Sequence, residues 1–199
     1  MKTNPKFSII TSRCVPLPTE NIDTDQIIPA RFLKGTSRDG FGENLFRDWR
    51  YDANGEPIMT FPLNDPTYSG CVLVAGKNFG CGSSREHAAW AIADYGFRAV
   101  ISSFFADIHK NNELNNFVLP VTVSQDFLEH LLAEIAADPT TEVRIDLPAQ
   151  TVTVLTSGRS EHFEINAYKK QCLTEGLDDI GYLLAHAADI DKYENETNS

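Results

Sequence analysis

Between Gly76 and Gly82 the chain places three glycines in seven residues, Gly76-Lys77-Asn78-Phe79-Gly80-Cys81-Gly82, with Ser83-Ser84-Arg85-Glu86-His87 directly behind. Cys71-Val72-Leu73-Val74-Ala75, just before, is the short apolar run of a buried strand. Ala88 to Tyr95, just after, is rich in good helix formers and is closed by Gly96 in the position of a C-terminal cap. The glycines therefore mark a strand-to-helix turn in which backbone passes close to a neighbour. Ser83 and Glu86 fit a capping box, which sets the expected helix start at Ser83. A first turn there aims unpaired N–H groups, two hydroxyls and the Arg85 guanidinium at one spot, an anion site for a carboxylate or phosphate. The spacing excludes a P-loop and a dinucleotide fingerprint. A well-capped helix after a tight turn would use the same residues with no ligand at all.

The rest of the chain falls into short, punctuated segments. Phe7 to Val15 has the content of an opening strand, followed by Pro16, Pro18 and an Asn21–Asp25 loop suited to Asx turns, with Asp23 read as turn and cap chemistry. Residues 35–66 are the longest irregular stretch, yet Phe41, Phe46, Trp49 and Tyr51 are too many aromatics for a disordered linker. A folded insertion near the active site is expected, with one short helix around Glu43 to Arg50, lying over the site or facing a partner. Ala99 to Ser103 reads as a buried strand, Phe104 to Asn112 as a short helix, and Phe117 to Thr122 as a strand. One helix between each pair of central strands is the βαβ pattern of a parallel sheet. Ser124 caps an expected helix to Ala137, with Leu128, Leu131, Leu132 and Ile135 on one face and Pro139 beyond its end. Glu142–Leu147, Thr151–Leu155 and His162–Ile165 alternate like strands, and Ala167–Thr174 and Leu177–Ala187 read as closing helices. Residues 188–199 read as a flexible acidic tail. The whole, 1–199, suits a single layered α/β domain.

Composition narrows the function classes. With 199 residues, 42% hydrophobic and 23% charged, the chain is ordinary for one globular domain. A net charge of −11 argues against nucleic acid as a partner, although a local arginine and a helix N-terminus still suit a small anion. No apolar run approaches the ~20 residues that span a bilayer, and the start lacks a signal-peptide pattern, so no membrane association and a cytoplasmic location are expected. The four cysteines, Cys14, Cys71, Cys81 and Cys172, contain no Cys-x-x-Cys, and the five histidines no His-x-x-x-His, so no metal site is expected within the chain. Cys81, between two glycines at the expected helix start, stands where a thiol pKa can be lowered.

Asn78-Phe79-Gly80-Cys81-Gly82-Ser83-Ser84-Arg85-Glu86-His87 resembles the signature of the 3-isopropylmalate dehydratase small subunits, in the aconitase superfamily. Asn21-Ile22-Asp23-Thr24-Asp25-Gln26-Ile27-Ile28-Pro29-Ala30-Arg31-Phe32 and Ser103-Phe104-Phe105-Ala106-Asp107-Ile108 match that family in order and spacing. So do Leu45–Arg50 and the Cys172…Gly181 segment, so the likeness runs over most of the chain. It implies a three-layer β/β/α swivelling domain, as in the aconitase C-terminal domain, forming half of a hydro-lyase. It implies that Ser83 is the catalytic base, that Ser84 and Arg85 hold a substrate carboxylate, and that Thr24 and Asp25 belong to the substrate loop. Phe32 and Leu33 fall where the family separates an isopropyl group from a third carboxylate. Their apolar side chains favour isopropyl, while Lys34 beside them suits a carboxylate.

The implied reaction interconverts 2-isopropylmalate and 3-isopropylmalate through 2-isopropylmaleate, in leucine biosynthesis. Its Lewis acid in the family is a [4Fe–4S] cluster, implied here to sit on a separate large subunit that forms a heterodimer with this cofactor-free chain around a small dicarboxylate. The small subunits of homoaconitase or citraconate hydratase, and a non-catalytic anion-binding module, stand as alternatives.

Overall fold

The longest strand, β1 (Ile9–Leu17), changes partners halfway along. Ile9–Arg13 pairs antiparallel with a strand from late in the chain, whereas Cys14–Leu17 pairs parallel with the strand that leads into the glycine turn. The computed structural model describes residues 4–34, 39–187 and 193. After β1 come α1 (Thr24–Ile27), α2 (Arg47–Arg50), β2 (Val72–Ala75), α3 (Glu86–Tyr95), β3 (Ala99–Ser102), α4 (Asp107–Asn115) and β4 (Leu119–Thr122). Then follow α5 (Gln125–Ala137), β5 (Glu142–Asp146), β6 (Thr151–Val154), β7 (Ser160–His162), α6 (Ala167–Glu175) and α7 (Asp179–Ala185). They build one seven-stranded sheet in the order β4-β3-β2-β1-β5-β6-β7. It is parallel from β1 to β4 and antiparallel from β1 through β7. Both strand prolines sit where a missing N–H is tolerated. Pro120 is on the edge strand β4, and Pro16 is in the half of β1 that has left β5.

Alternation along the strands sorts the apolar side chains into two cores. Cys14, Val72, Val74, Ala99, Ile101, Leu119 and Val121 share one core with Val143, Ile145, Val152 and Val154 of the antiparallel strands and Phe127, Leu128, Leu131 and Ile135 of α5. Val15, Leu17, Leu73, Ala75 and Val100 face the other way, onto Ala88, Ala91 and Ile92 of α3 and onto the insertion. The sheet curls at β1 so that its antiparallel strands lie over one face of its parallel strands. The parallel strands are thus buried on both faces, and the layers run β, β, α. The mixed α/β class expected from the sequence is the one found.

Local rules account for most element ends. Ser124 Oγ accepts from Phe127 N–H at 3.1 Å and starts α5, and Gly96 ends α3 in the left-handed region at φ 111°. Several expected bounds shift, the helix read at Phe104–Asn112 among them, which lies at Asp107–Asn115. The opening strand runs on to Leu17. The single helix expected at 43–50 is a 3-10 turn (Gly42–Asn44) and α2, separated at the fully buried Phe46, whose φ is 49°. The third antiparallel strand lies at 160–162 rather than 162–165, because the tight turn after Val154 sets Thr153 opposite Ser160.

Of the 35–66 insertion, residues 35–38 lie outside the described residues, as does the expected tail except Tyr193. From residue 39 the insertion folds onto α3: Phe41, Leu45 and Phe46 are buried there, with Trp49, Phe61 and Leu63 packed against them. The buried Arg50 donates to Asn64 Oδ1 at 3.1 Å and to the Leu45 carbonyl at 3.3 Å, locking the insertion on itself. No helix among the described residues is long and apolar enough to cross a membrane.

Candidate active site

Three loops leave the carboxyl ends of β1, β2 and β3 and meet at one edge of the parallel strands, where open α/β sheets bind ligands. Backbone bonds lace them together. Asn21 N–H donates to the Lys77 carbonyl at 2.8 Å, Phe79 N–H to the Phe104 carbonyl at 3.1 Å, and Ala106 N–H to the Phe79 carbonyl at 3.0 Å. The buried Ser102 hydroxyl donates to the Gly76 carbonyl at 2.8 Å. Gly80, at φ 73°, lies flat on the ring of His109, where an added Cβ would stand 2.1 Å from the ring carbons. No residue with a side chain fits that position.

The junction leaves a cleft of about 240 Å³ lined by Thr24, Gly80, Gly82, Ser83, Ser84 and Arg85, and by Ala106, Asp107, Ile108, His109 and Asn112 from the start of α4. Thr24, almost fully buried, donates its hydroxyl proton to the Ser83 carbonyl at 2.9 Å and sits 3.2 Å from Ser83 Oγ. With that proton on the carbonyl, Thr24 Oγ1 accepts from the Ser83 hydroxyl, and it can turn to donate if Ser83 becomes an alkoxide. Asp25 forms an ion pair with Arg85 Nη1, fixing the guanidinium beside the cleft.

The capping box expected at Ser83 and Glu86 does not form. Arg85 N–H closes a tight turn onto the Ser83 carbonyl at 2.8 Å, Arg85 itself is extended, and α3 begins at Glu86 with no side-chain cap. Glu86 instead accepts from Asn116 Nδ2 at 3.2 Å. The box forms at Asp23 and Gln26: Asp23 Oδ1 accepts from Asp25 N–H at 2.7 Å and Gln26 N–H at 2.9 Å, and Gln26 Oε1 accepts from Asp23 N–H at 2.9 Å. The cap role read for Asp23 is the one found. The helix that turns its first residues to the cleft is accordingly α4, not α3.

Ser83, Ser84, Arg85 and Thr24 are brought together, and Asp25 joins them through Arg85. Phe32 and Leu33 are not part of the cleft lining. They follow α1 on a 3-10 turn and pack, partly buried, against the core shared with the insertion. Arg31 lies over the Phe32 ring at 4.6 Å and pairs with Asp48. Cys81 also departs from expectation. Burial and the nearby Asp23 carboxylate push its thiol pKa up, and the thiol donates to the Asn21 carbonyl at 3.4 Å.

The pair that sequence reasoning missed is His109 and Glu113. Both are fully buried, with Nε2 and Oε1 3.1 Å apart, and burial pushes the Glu113 carboxyl up against the opposing pull of His109 and Lys110. Its signal was an i, i+4 spacing on a short polar helix, which says nothing of burial. Among the described residues, no three or more His, Cys, Asp or Glu side chains are grouped as a metal ion requires. The cysteines are free, and Cys14 is pushed up to about 12 by burial.

Layered sheet and loop cleft together define an aconitase C-terminal domain, and the model of that family matches residues 4–126, with a second model, LeuD_N, matching 129–167. Over 191 residues the chain is 57% identical to the 3-isopropylmalate dehydratase small subunit of Christiangramia forsetii, covering 96% of this chain and 93% of the relative. It is 58% identical to that of Azobacteroides pseudotrichonymphae, covering 95% and 96%. A crystal structure of a 3-isopropylmalate dehydratase from Methanocaldococcus jannaschii superposes with a TM-score of 0.68 at 27% identity, over 93% of this chain and 99% of that one. The chain belongs to the family of 3-isopropylmalate dehydratase small subunits.

Proposed function

We propose that this chain supplies the base and the carboxylate clamp of a hydro-lyase that interconverts 2-isopropylmalate and 3-isopropylmalate through 2-isopropylmaleate, in leucine biosynthesis in the cytoplasm. The observation that carries this reading is the Ser83 hydroxyl. It stands in the cleft free of any capping duty, beside Thr24 and one residue from the Ser84–Arg85 clamp. Dehydration begins with loss of a proton from a carbon next to a carboxylate. Ser83 Oγ takes that proton, and Thr24 Oγ1–H and the Arg85 charge stabilise the negative oxygen that precedes it. Arg85 and Ser84 hold the carboxylate that orients the carbon, with Asp25 setting the plane of the guanidinium. Phe32 and Leu33 stand outside the cleft lining, so any part they take in the choice of an isopropyl group is played from the loop after α1 and not from a wall of the cleft. Departure of the hydroxyl calls for a Lewis acid, which on this reading is a [4Fe–4S] cluster on a large partner subunit, since the scattered cysteines here do not fit one.

The test is reconstitution. Mixed anaerobically with the cluster-loaded large subunit from the same organism, the chain is expected to turn over 2-isopropylmalate, and neither subunit is expected to do so alone. Faster turnover of homoaconitase or citraconate hydratase substrates would move the protein to those relatives. Anion binding with no turnover in the mixture would leave only a non-catalytic module.

A further inference from the structure

We infer that Phe104 and Ile108, at the two ends of a segment whose Ala106, Asp107 and Ile108 line the cleft, are the apolar anchors onto which the large subunit closes, an inference that rests on the functional reading above. Phe104 is 49% exposed and Ile108 55%, although Phe105 and His109 beside them are buried. The segment that carries them is held firmly. Phe105 packs edge-on against Phe79 at 6.2 Å, and the backbone on both sides of Phe105 is hydrogen-bonded to Phe79. Two large apolar side chains are therefore presented to water by backbone fixed to the glycine turn. Anchors held this way lose little freedom on binding.

The occupant follows from what the cleft lacks. A substrate gripped by Arg85 and facing Ser83 must also meet a Lewis acid, and among the described residues no three or more His, Cys, Asp or Glu are grouped to hold one. The partner that brings it has to reach over the cleft mouth, and the Phe104–Ile108 segment, three of whose residues line the cleft, is among what it meets there. Substrate by itself covers at most Ile108, which lines the cleft; Phe104 stands outside it. An aromatic and an aliphatic side chain beside a polar pocket suit the desolvated centre of a protein interface.

Phe104→Ser and Ile108→Ser, each mixed with the wild-type cluster-loaded large subunit, test this by titration of complex formation and activity. Each is expected to raise the Kd for the large subunit about tenfold or more, as truncating an interface anchor does. The melting temperature of each free variant should stay at the wild-type value. For Phe104→Ser, kcat and KM at saturating large subunit should also be unchanged. Wild-type Kd values in both variants would overturn the inference, as would a raised substrate KM in Ile108→Ser with Kd unaltered, which would make Ile108 a substrate contact. If wild-type protein neither binds the large subunit nor turns over, the functional reading itself falls and takes this surface with it.

Discussion

Ser83 keeps its hydroxyl for the cleft because the cap of the helix behind it falls at Arg85, two residues later than the local pattern implies. This separates its two conceivable roles. An N-cap serine replaced by alanine loses about 1 kcal/mol, whereas asparagine caps as well as serine. With no cap at Ser83, neither Ser83→Ala nor Ser83→Asn should move the melting temperature. An amide cannot take a proton from carbon at neutral pH, so Ser83→Asn in the assembled enzyme is expected to lose roughly 10²–10⁴ in kcat, the usual loss for a positioned base. Thermal melts and kcat on the same preparation check both halves. Near-normal turnover would end the assignment of Ser83 as base. Thr24 was legible here only through family resemblance, since its 3.2 Å approach to Ser83 Oγ joins residues 59 apart in sequence.

α4 illustrates how an element of ordinary appearance acquires a role from its surroundings. Its first turn lines the cleft, and its buried His109 is the floor on which Gly80 rests. Glu113 one turn on is fully buried, and burial favours its protonated form, so its pKa in the fold is raised above the ordinary 4.5. Relative to an unperturbed carboxyl, its contribution to stability is complete below about pH 4.5 and is lost as the pH rises through the raised value. Glu113→Gln removes this titration while keeping the shape. The stability of wild type minus that of Glu113→Gln is therefore expected to fall as the pH rises above 4.5, measured by urea unfolding of the free chain. A difference that stays flat, or grows with pH, would show that the His109 contact outweighs burial. The two hydroxyl-bearing ends of the site, by contrast, depend on α1, whose Asp23–Gln26 box sets Thr24 against the glycine turn.

Across the whole molecule, one seven-stranded sheet serves two cores, and only one of them lies under the loops that form the cleft. Leu131, fully buried on α5, belongs to the core between the antiparallel and parallel strands. Leu131→Ala should lose about 2–5 kcal/mol through the cavity it leaves, seen as a lower midpoint in urea, while kcat per folded complex stays at the wild-type value. A matching fall in kcat would mean that the two cores are not separable. Strand and helix identity along the chain, the α5 cap at Ser124 and the stop at Gly96 could be read from the sequence, because periodicity and caps act over a few residues. So could the glycine turn and its serine and arginine. Two segments satisfied the same local capping rule, Asp23–Gln26 and Ser83–Glu86, and only one became a cap. The choice was made across 57 residues of chain, where Thr24 N–H takes the Cys81 carbonyl at 2.9 Å and the turn after Gly82 is held out of the helix. Likewise the partner exchange of β1 and the burial of His109 with Glu113 carry no local signature. They are decided by which strands and loops meet in space, and only the assembled fold brings those together.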